Sequence, residues 1–146
     1  MNNFSILNGL RVLVVDDNVD TLELVTIILG EYGTEVITAA SATEAIEAIT
    51  QGARSASAQL KPNILISDIA MPGVDGYSLI RKVRTLSSEQ GGQIPAIALT
   101  AYASEEERTR ILDAGFQMHI PKPVEPSELV AVVAKLAQTR LELDER

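Results

Sequence analysis

The chain has 146 residues, 46% of them hydrophobic, no cysteine, and a formal charge of −8 from 12 basic and 20 acidic side chains. That length and apolar content fit one domain with a full core. Disulfides, zinc–thiolate sites and thiol chemistry are excluded, the excess of acid argues against general nucleic-acid binding, and no apolar run approaches the ~20 residues of a membrane span.

Residues Met1 to Gly9 read as a short leader, without the basic-then-apolar order of a secretion signal. Arg11-Val-Leu-Val-Val15 has the unbroken apolar character of a strand buried on both faces, and it ends in Asp16-Asp17. Residues Asn18 to Tyr32 carry helical spacing, with Leu22, Val25, Ile28 and Leu29 on one face and Gly33 as the stop. Glu35 to Ala39 is a short strand. Ser41 with Glu44 reads as a capping box opening a helix through Ala45, Ile46 and Ile49. Gly52 to Pro62 reads as a loop of small and polar residues.

Asn63-Ile-Leu-Ile-Ser-Asp68 is a second buried-strand pattern with an acid at its end. Pro72, Gly73 and Gly76 mark a turn into a helix from Tyr77 to Leu86, with Leu79, Ile80 and Val83 inward. After a loop from Ser87 to Gln93, the fourth strand spans Ile94 to Leu99 and ends at Thr100. Ser104 with Glu107 reads as another capping box, for a helix closing at Gly115. Phe116 to Ile120 is a fifth strand, followed by Lys122 between Pro121 and Pro123. Pro126 suits the first turn of a last helix that buries Leu129, Val132, Val133 and Leu136.

Five strands alternating with five helices imply βαβ units and a doubly wound parallel sheet with helices on both faces. Ligands bind at the C-terminal strand ends of such sheets. Asp16, Asp17, Asp68, Thr100 and Lys122 all fall there, so the topology brings them to one edge. Alone, each has a plain explanation as a cap, a turn former or a surface lysine. Together they have a chemistry. Three converging carboxylates repel one another, and Mg²⁺, with its preference for oxygen ligands, relieves that repulsion. A lysine and a hydroxyl beside the metal complete a cradle for a phosphoryl group. An Asp can itself be the nucleophile, and Asp68, single and at the sheet centre, is the best placed.

At this point the chain resembles the receiver domain of two-component response regulators. The features that carry the resemblance are Val14-Val-Asp-Asp-Asn18, Ser67-Asp68 with Met71-Pro-Gly-Val-Asp-Gly76, Leu99-Thr-Ala101, and Pro121-Lys-Pro123 after Ala114-Gly115. It covers roughly residues 10–138, which leaves 1–9 as leader and 139–146 as a charged helix end. The resemblance implies a flavodoxin-like sheet in the order 2-1-3-4-5. It implies Asp68 as phospho-acceptor, Asp17 as a direct Mg²⁺ ligand, Asp16 as a ligand mainly through water, and the Ala70 carbonyl as a further ligand. Lys122 would pair with the phosphoryl group or, before phosphorylation, with Asp68. Thr100 would swing in to the phosphoryl oxygens, and the Lys122–Pro123 peptide would be cis. The family usually has Tyr or Phe three residues before the lysine, where this chain has His119. That smaller, titratable ring is the candidate second switch residue. Ala70 and Tyr102 would tune the phosphoryl lifetime.

The expected function is therefore a phosphorelay switch rather than an enzyme, with self-phosphorylation from a donor and self-dephosphorylation as its only chemistry. Its donor would be a histidine kinase or histidine phosphotransfer protein, and its output a changed surface of the fourth helix, fifth strand and fifth helix. A phosphorylation-dependent homodimer is compatible with this, the expected location is the cytoplasm, and neither nucleic acid nor membrane is an expected direct partner. Few residues follow the receiver-like region, so the expectation is either a stand-alone receiver or a piece of a larger protein such as a hybrid sensor kinase. Three other readings compete. A docking module would keep the fold without being phosphorylated. A Mg²⁺-dependent aspartyl-phosphate phosphatase would place a second acid two residues after the nucleophile, where this chain has Ala70. A nucleotide- or flavin-binding module would carry glycines where Asp16 and Asp17 stand.

Overall fold

The computed structural model describes residues 4–54, 61–101 and 104–144; of residues 53, 54 and 140–144 only the backbone is described. Tyr102, the first three leader residues, most of the expected 52–62 loop and the side chains of the charged end therefore lie outside the described residues.

The strands are β1 (Arg11–Val15), β2 (Glu35–Ala39), β3 (Ile64–Asp68), β4 (Ala96–Thr100) and β5 (Met118–Pro121). The helices are α1 (Val19–Gly30), α2 (Ala42–Arg54), α3 (Gly76–Thr85), α4 (Glu105–Ala114) and α5 (Pro126–Asp144). All four strand pairings are parallel, and the order is 2-1-3-4-5, as the resemblance implied. Burial follows that order. β3 and β4 are buried along their whole length and β1 along all but its first residue, whereas β2 and β5 are edge strands that keep Glu35, Thr38 and His119. An interior strand has helices on both faces and no solvated side, so polar residues are confined to its ends.

Two apolar layers sandwich the sheet. Leu13, Leu65, Ala96 and Ala98 face α2, α3 and α4 through Ile49, Ile80 and Ile111. Val12, Val14, Ile66 and Ile97 face α1 and α5 through Val25, Leu29, Leu129 and Val133. A short 3-10 turn, Ser5–Leu7, closes the second layer: Leu7 is fully buried and its carbonyl accepts from Thr34 Oγ1 at 2.8 Å. The segment expected as a leader thus packs on the fold from Phe4 onward.

Several boundaries differ from expectation. α1 ends at Gly30, not Tyr32, because Tyr32 and Gly33 donate to carbonyls three residues back and Gly33 then turns with φ +82°. α2 runs on to Arg54 through the expected loop start, since Gly52 is buried one turn beyond Ile49 and continues the same face. β4 starts at Ala96 because Ile94 is tied into a turn with Gly91 and Pro95 has no N–H to enter the ladder. β5 starts at Met118 because Phe116 donates to Ile111 and so belongs to the end of α4. In α5, Val132 is only half-buried and Val130 takes the inward place.

Candidate functional site

The C-terminal edge of the sheet collects the polar residues of the core. Asp16, Ser67, Asp68 and Thr100 are four of the five buried polar side chains found among the described residues. Each is delivered by an interior strand whose apolar residues fix its direction. The N-termini of the helices open at the same edge, where the helix dipoles add positive potential.

Asp16, Asp17 and Asp68 each present a carboxylate oxygen within 4.8 Å of the others. Asp16 is fully buried, and its Oδ1 accepts from Asn18 N–H at 2.9 Å. Asp68 is 4% exposed, and Asp17 opens to solvent. Oxygens opposite one another on octahedral Mg²⁺ stand about 4.2 Å apart. The cluster is thus close to the dimension of a single hard cation, and its donors are all oxygen. The Ala70 N–H approaches Asp68 Oδ1 at 3.4 Å, which places Ala70 on the rim.

Lys122 answers part of this charge. It follows β5 immediately, and its backbone N–H donates to the Thr100 carbonyl at 2.8 Å. Its Nζ stands 2.9 Å from Asp16 Oδ2 and 3.1 Å from Asp68 Oδ1. Burial on its own would lower the ammonium pKa, but the hydrogen bonds and charges of Asp16 and Asp68 outweigh it, and the net displacement is upward. The Lys122–Pro123 peptide is cis.

The local fold holds Asp68 in place from behind. Gly76, the first residue of α3, donates to the Ile69 carbonyl at 2.9 Å and lies so close to the strand end that a Cβ there would run into the Asp68 carbonyl. The sequence marked Gly76 only as a turn residue; the close approach is what requires it.

Thr100 ends β4, buried, and lines one depression with Asp68, Ala70 and Lys122. His119 is not among the residues lining it. It is half-buried on the edge strand, opposite Ala98, one ladder step short of the site. Three further lining residues escaped the sequence reading: Tyr77, Glu107 and Arg110. Glu107 is the informative one. Ser104 Oγ does accept from Glu107 N–H at 3.1 Å, so half of the expected capping box exists. The Glu107 carboxylate does not return to the cap; it accepts from the Tyr77 hydroxyl. That contact is between helices and leaves no local signal in sequence. By contrast, the Glu44 carboxylate does reach back, to Ala40 N–H at 2.7 Å.

Comparisons with known proteins place the sequence and the fold. The profile of the response regulator receiver domain matches residues 12–134. An uncharacterized 14.6 kDa protein of Leptolyngbya boryana is 43% identical over 122 residues, 84% of this chain and 86% of that one. Hybrid signal transduction histidine kinase D of Dictyostelium discoideum is 34% identical over 131 residues, which are 88% of this chain but 8% of the kinase. Among solved structures, a CheY-like response regulator receiver domain protein of Methanospirillum hungatei superposes with a TM-score of 0.76 at 29% identity, covering 91% of this chain and 97% of that one.

Proposed function

The chain belongs to the response regulator receiver domain family, and from that premise we propose that it is a phosphorelay switch whose acceptor is Asp68. A receiver is a signalling module of two-component systems, and relatives of this one occur both as short proteins and within hybrid kinases. The observation that carries the reading is the placement of Lys122 Nζ between the buried carboxylates of Asp16 and Asp68, at 2.9 and 3.1 Å.

In this reading an Asp68 oxygen attacks the phosphorus of a phosphohistidine on a histidine kinase or phosphotransfer protein. The P–O bond forms as the P–N bond breaks, and the imidazole leaves with a proton. Asp17 and the Ala70 carbonyl would hold Mg²⁺ directly, with Asp68, and Asp16 would hold it mainly through water. The bound ion supplies charge neutralisation for the transferring oxygens. Lys122 exchanges its contact with Asp68 for one with the phosphoryl group, and Thr100 turns in to donate to a phosphoryl oxygen. The departure of Thr100 from its resting place shifts the surface of α4, β5 and α5 between two populated states. His119, on β5 beneath that surface, is the candidate to report the change, and self-association of that surface is one output.

The test is intact-protein mass after incubation with acetyl phosphate, with and without Mg²⁺, for wild type and Asp68→Asn. One added phosphoryl group that requires both Mg²⁺ and Asp68 is the expected result. Stable uptake by Asp68→Asn would move the acceptor elsewhere. No uptake from acetyl phosphate or from a phosphorylated phosphotransfer protein would favour the docking-module reading.

A further inference from the structure

The cluster of Tyr77, Glu107 and Arg110 has no part in the chemistry just described, yet it lines the same depression as Asp68 and Thr100. Tyr77 stands in the first turn of α3 and is 3% exposed. Its hydroxyl donates to Glu107 Oε1 in the first turn of α4. Arg110, one helical turn after Glu107, lays its guanidinium 4.1 Å from the Tyr77 ring centroid. The aromatic face is thus covered by a cation and the phenol edge is engaged by a carboxylate. Burial, together with the neighbouring Glu107, pushes the Tyr77 pKa up to about 12, so the hydroxyl keeps its proton at neutral pH.

α3 also holds the other end of α4. The Arg84 guanidinium donates to the Gly115 carbonyl, from Nη2 at 2.7 Å and Nε at 3.1 Å, and to the Ile94 carbonyl at 2.6 Å. The two attachments differ in position. The Arg84 end faces away from the acceptor, while the Tyr77 end opens on it. Thr100 and the Ser104 cap of α4 are four residues apart, a span of at most about 14 Å. Thr100 and the turn that Tyr77 holds are thus near neighbours along the chain.

We infer that the Tyr77–Glu107 hydrogen bond beneath Arg110 is a latch. It fixes the resting position of the first turn of α4, and by doing so it restrains the inward movement of Thr100. The latch itself stands on the geometry; its coupling to Thr100 rests on the phospho-acceptor reading. Tyr77 is a positioning residue: in this inference it acts on Asp68 through α4 and Thr100.

Two readouts test it on the full chain, for wild type, Tyr77→Phe and Glu107→Gln. The first is amide hydrogen exchange at residues 108–110 with no phosphodonor present. A hydrogen bond to a charged group is worth roughly a tenfold or larger change in local opening. Tyr77→Phe, which keeps the ring and its cation contact, is expected to exchange about tenfold faster there. Glu107→Gln, which keeps an acceptor, is expected to exchange less than tenfold faster. The second readout is the rate of phosphoryl uptake at Asp68 from acetyl phosphate with Mg²⁺, expected to rise about threefold to tenfold in Tyr77→Phe. Unchanged exchange in Tyr77→Phe overturns the latch. Faster exchange with an unchanged uptake rate reduces the contact to helix packing and overturns the coupling. If wild type itself takes up no phosphate at Asp68, the phospho-acceptor reading and the coupling fall together, and exchange alone decides the latch.

Discussion

The two ends of the sheet treat charge in opposite ways. At the N-terminal end, polar groups are matched to near neighbours. Arg11 Nη2 meets Glu35 at 2.7 Å across the β1–β2 register, and the Arg11 backbone N–H donates to Asn63 Oδ1 at 2.7 Å. Thr34 and Leu7 pair in the same region. At the C-terminal end, three carboxylates share one lysine. The first arrangement balances one positive charge against one negative, although Arg11 Nε and Nη1 are buried without a partner. The second leaves an excess of negative charge that a bound cation would offset, and this imbalance distinguishes the two ends.

Removing the basic residue at each end sharpens that contrast. Lys122→Met keeps most of the apolar stem and leaves Asp16 and Asp68 buried without their ammonium. Breaking a buried pair in this way costs about 3–5 kcal/mol, read as a fall in urea midpoint in metal-free buffer. Saturating Mg²⁺ should restore much of the loss, because the orphaned acids regain a counter-charge. Equal losses with and without Mg²⁺ would mean that the acids do not share a cation. Arg11→Met uncovers only Glu35, which is already exposed, so its loss should be smaller and indifferent to Mg²⁺. The Lys122 contribution does not fade near neutrality. Its pKa is raised in the fold, so the contribution is fully present below the unfolded value near 10.5 and is lost only as pH climbs through the raised value.

A cavity at the quiet end gives the next effect in size. Leu7→Ala removes a fully buried side chain from the layer under α1 and α5, at a cost of about 2–4 kcal/mol. Differential scanning calorimetry should show the fall in melting temperature, while Asp68 phosphorylation below that temperature stays unchanged. A Leu7→Ala protein that folds normally yet loses phosphate uptake would show that the two ends are coupled.

How much of this was legible in sequence follows the range of each interaction. Topology and the meeting of Asp16, Asp68, Thr100 and Lys122 were readable because apolar runs announce interior strands and the polar residue that ends each run is local. Gly76 was readable as a turn but not as a contact, since its need comes from the backbone of Asp68. Glu107 was misread as the second half of a capping box because Ser-x-x-Glu spacing is the same whether the carboxylate turns back or crosses to α3. Tyr77 and Arg110 left no trace at all, lying on different helices. Val130 displaced Val132 because the inward face of α5 depends on where the helix crosses the sheet, which periodicity alone does not fix.

The smallest expected effect also lies at the C-terminal end and tests whether every acid there is in excess. Glu125 precedes α5 and is exposed. Its carboxylate accepts from Ser127 Oγ at 2.6 Å and from the N–H groups of Glu128 at 2.9 Å and Ser127 at 3.2 Å. Sequence pointed to Pro126 as the helix start but not to this cap, since the usual cap residues are shorter. Those bonds, with Ser127 Oγ first, hold the Glu125 pKa below its ordinary 4.5. A depressed pKa means stability that is present above the unfolded value and lost as pH falls through the folded one. Glu125→Gln keeps an acceptor oxygen but no charge. Wild type should therefore be slightly more stable at pH 7, and the two proteins should converge below about pH 4. Mg²⁺ should leave the difference unchanged, because helix N–H groups already answer this carboxylate. A gap that widens in acid would contradict the cap, and a gap that depends on Mg²⁺ would enlist Glu125 in the same cluster as Asp16, Asp17 and Asp68.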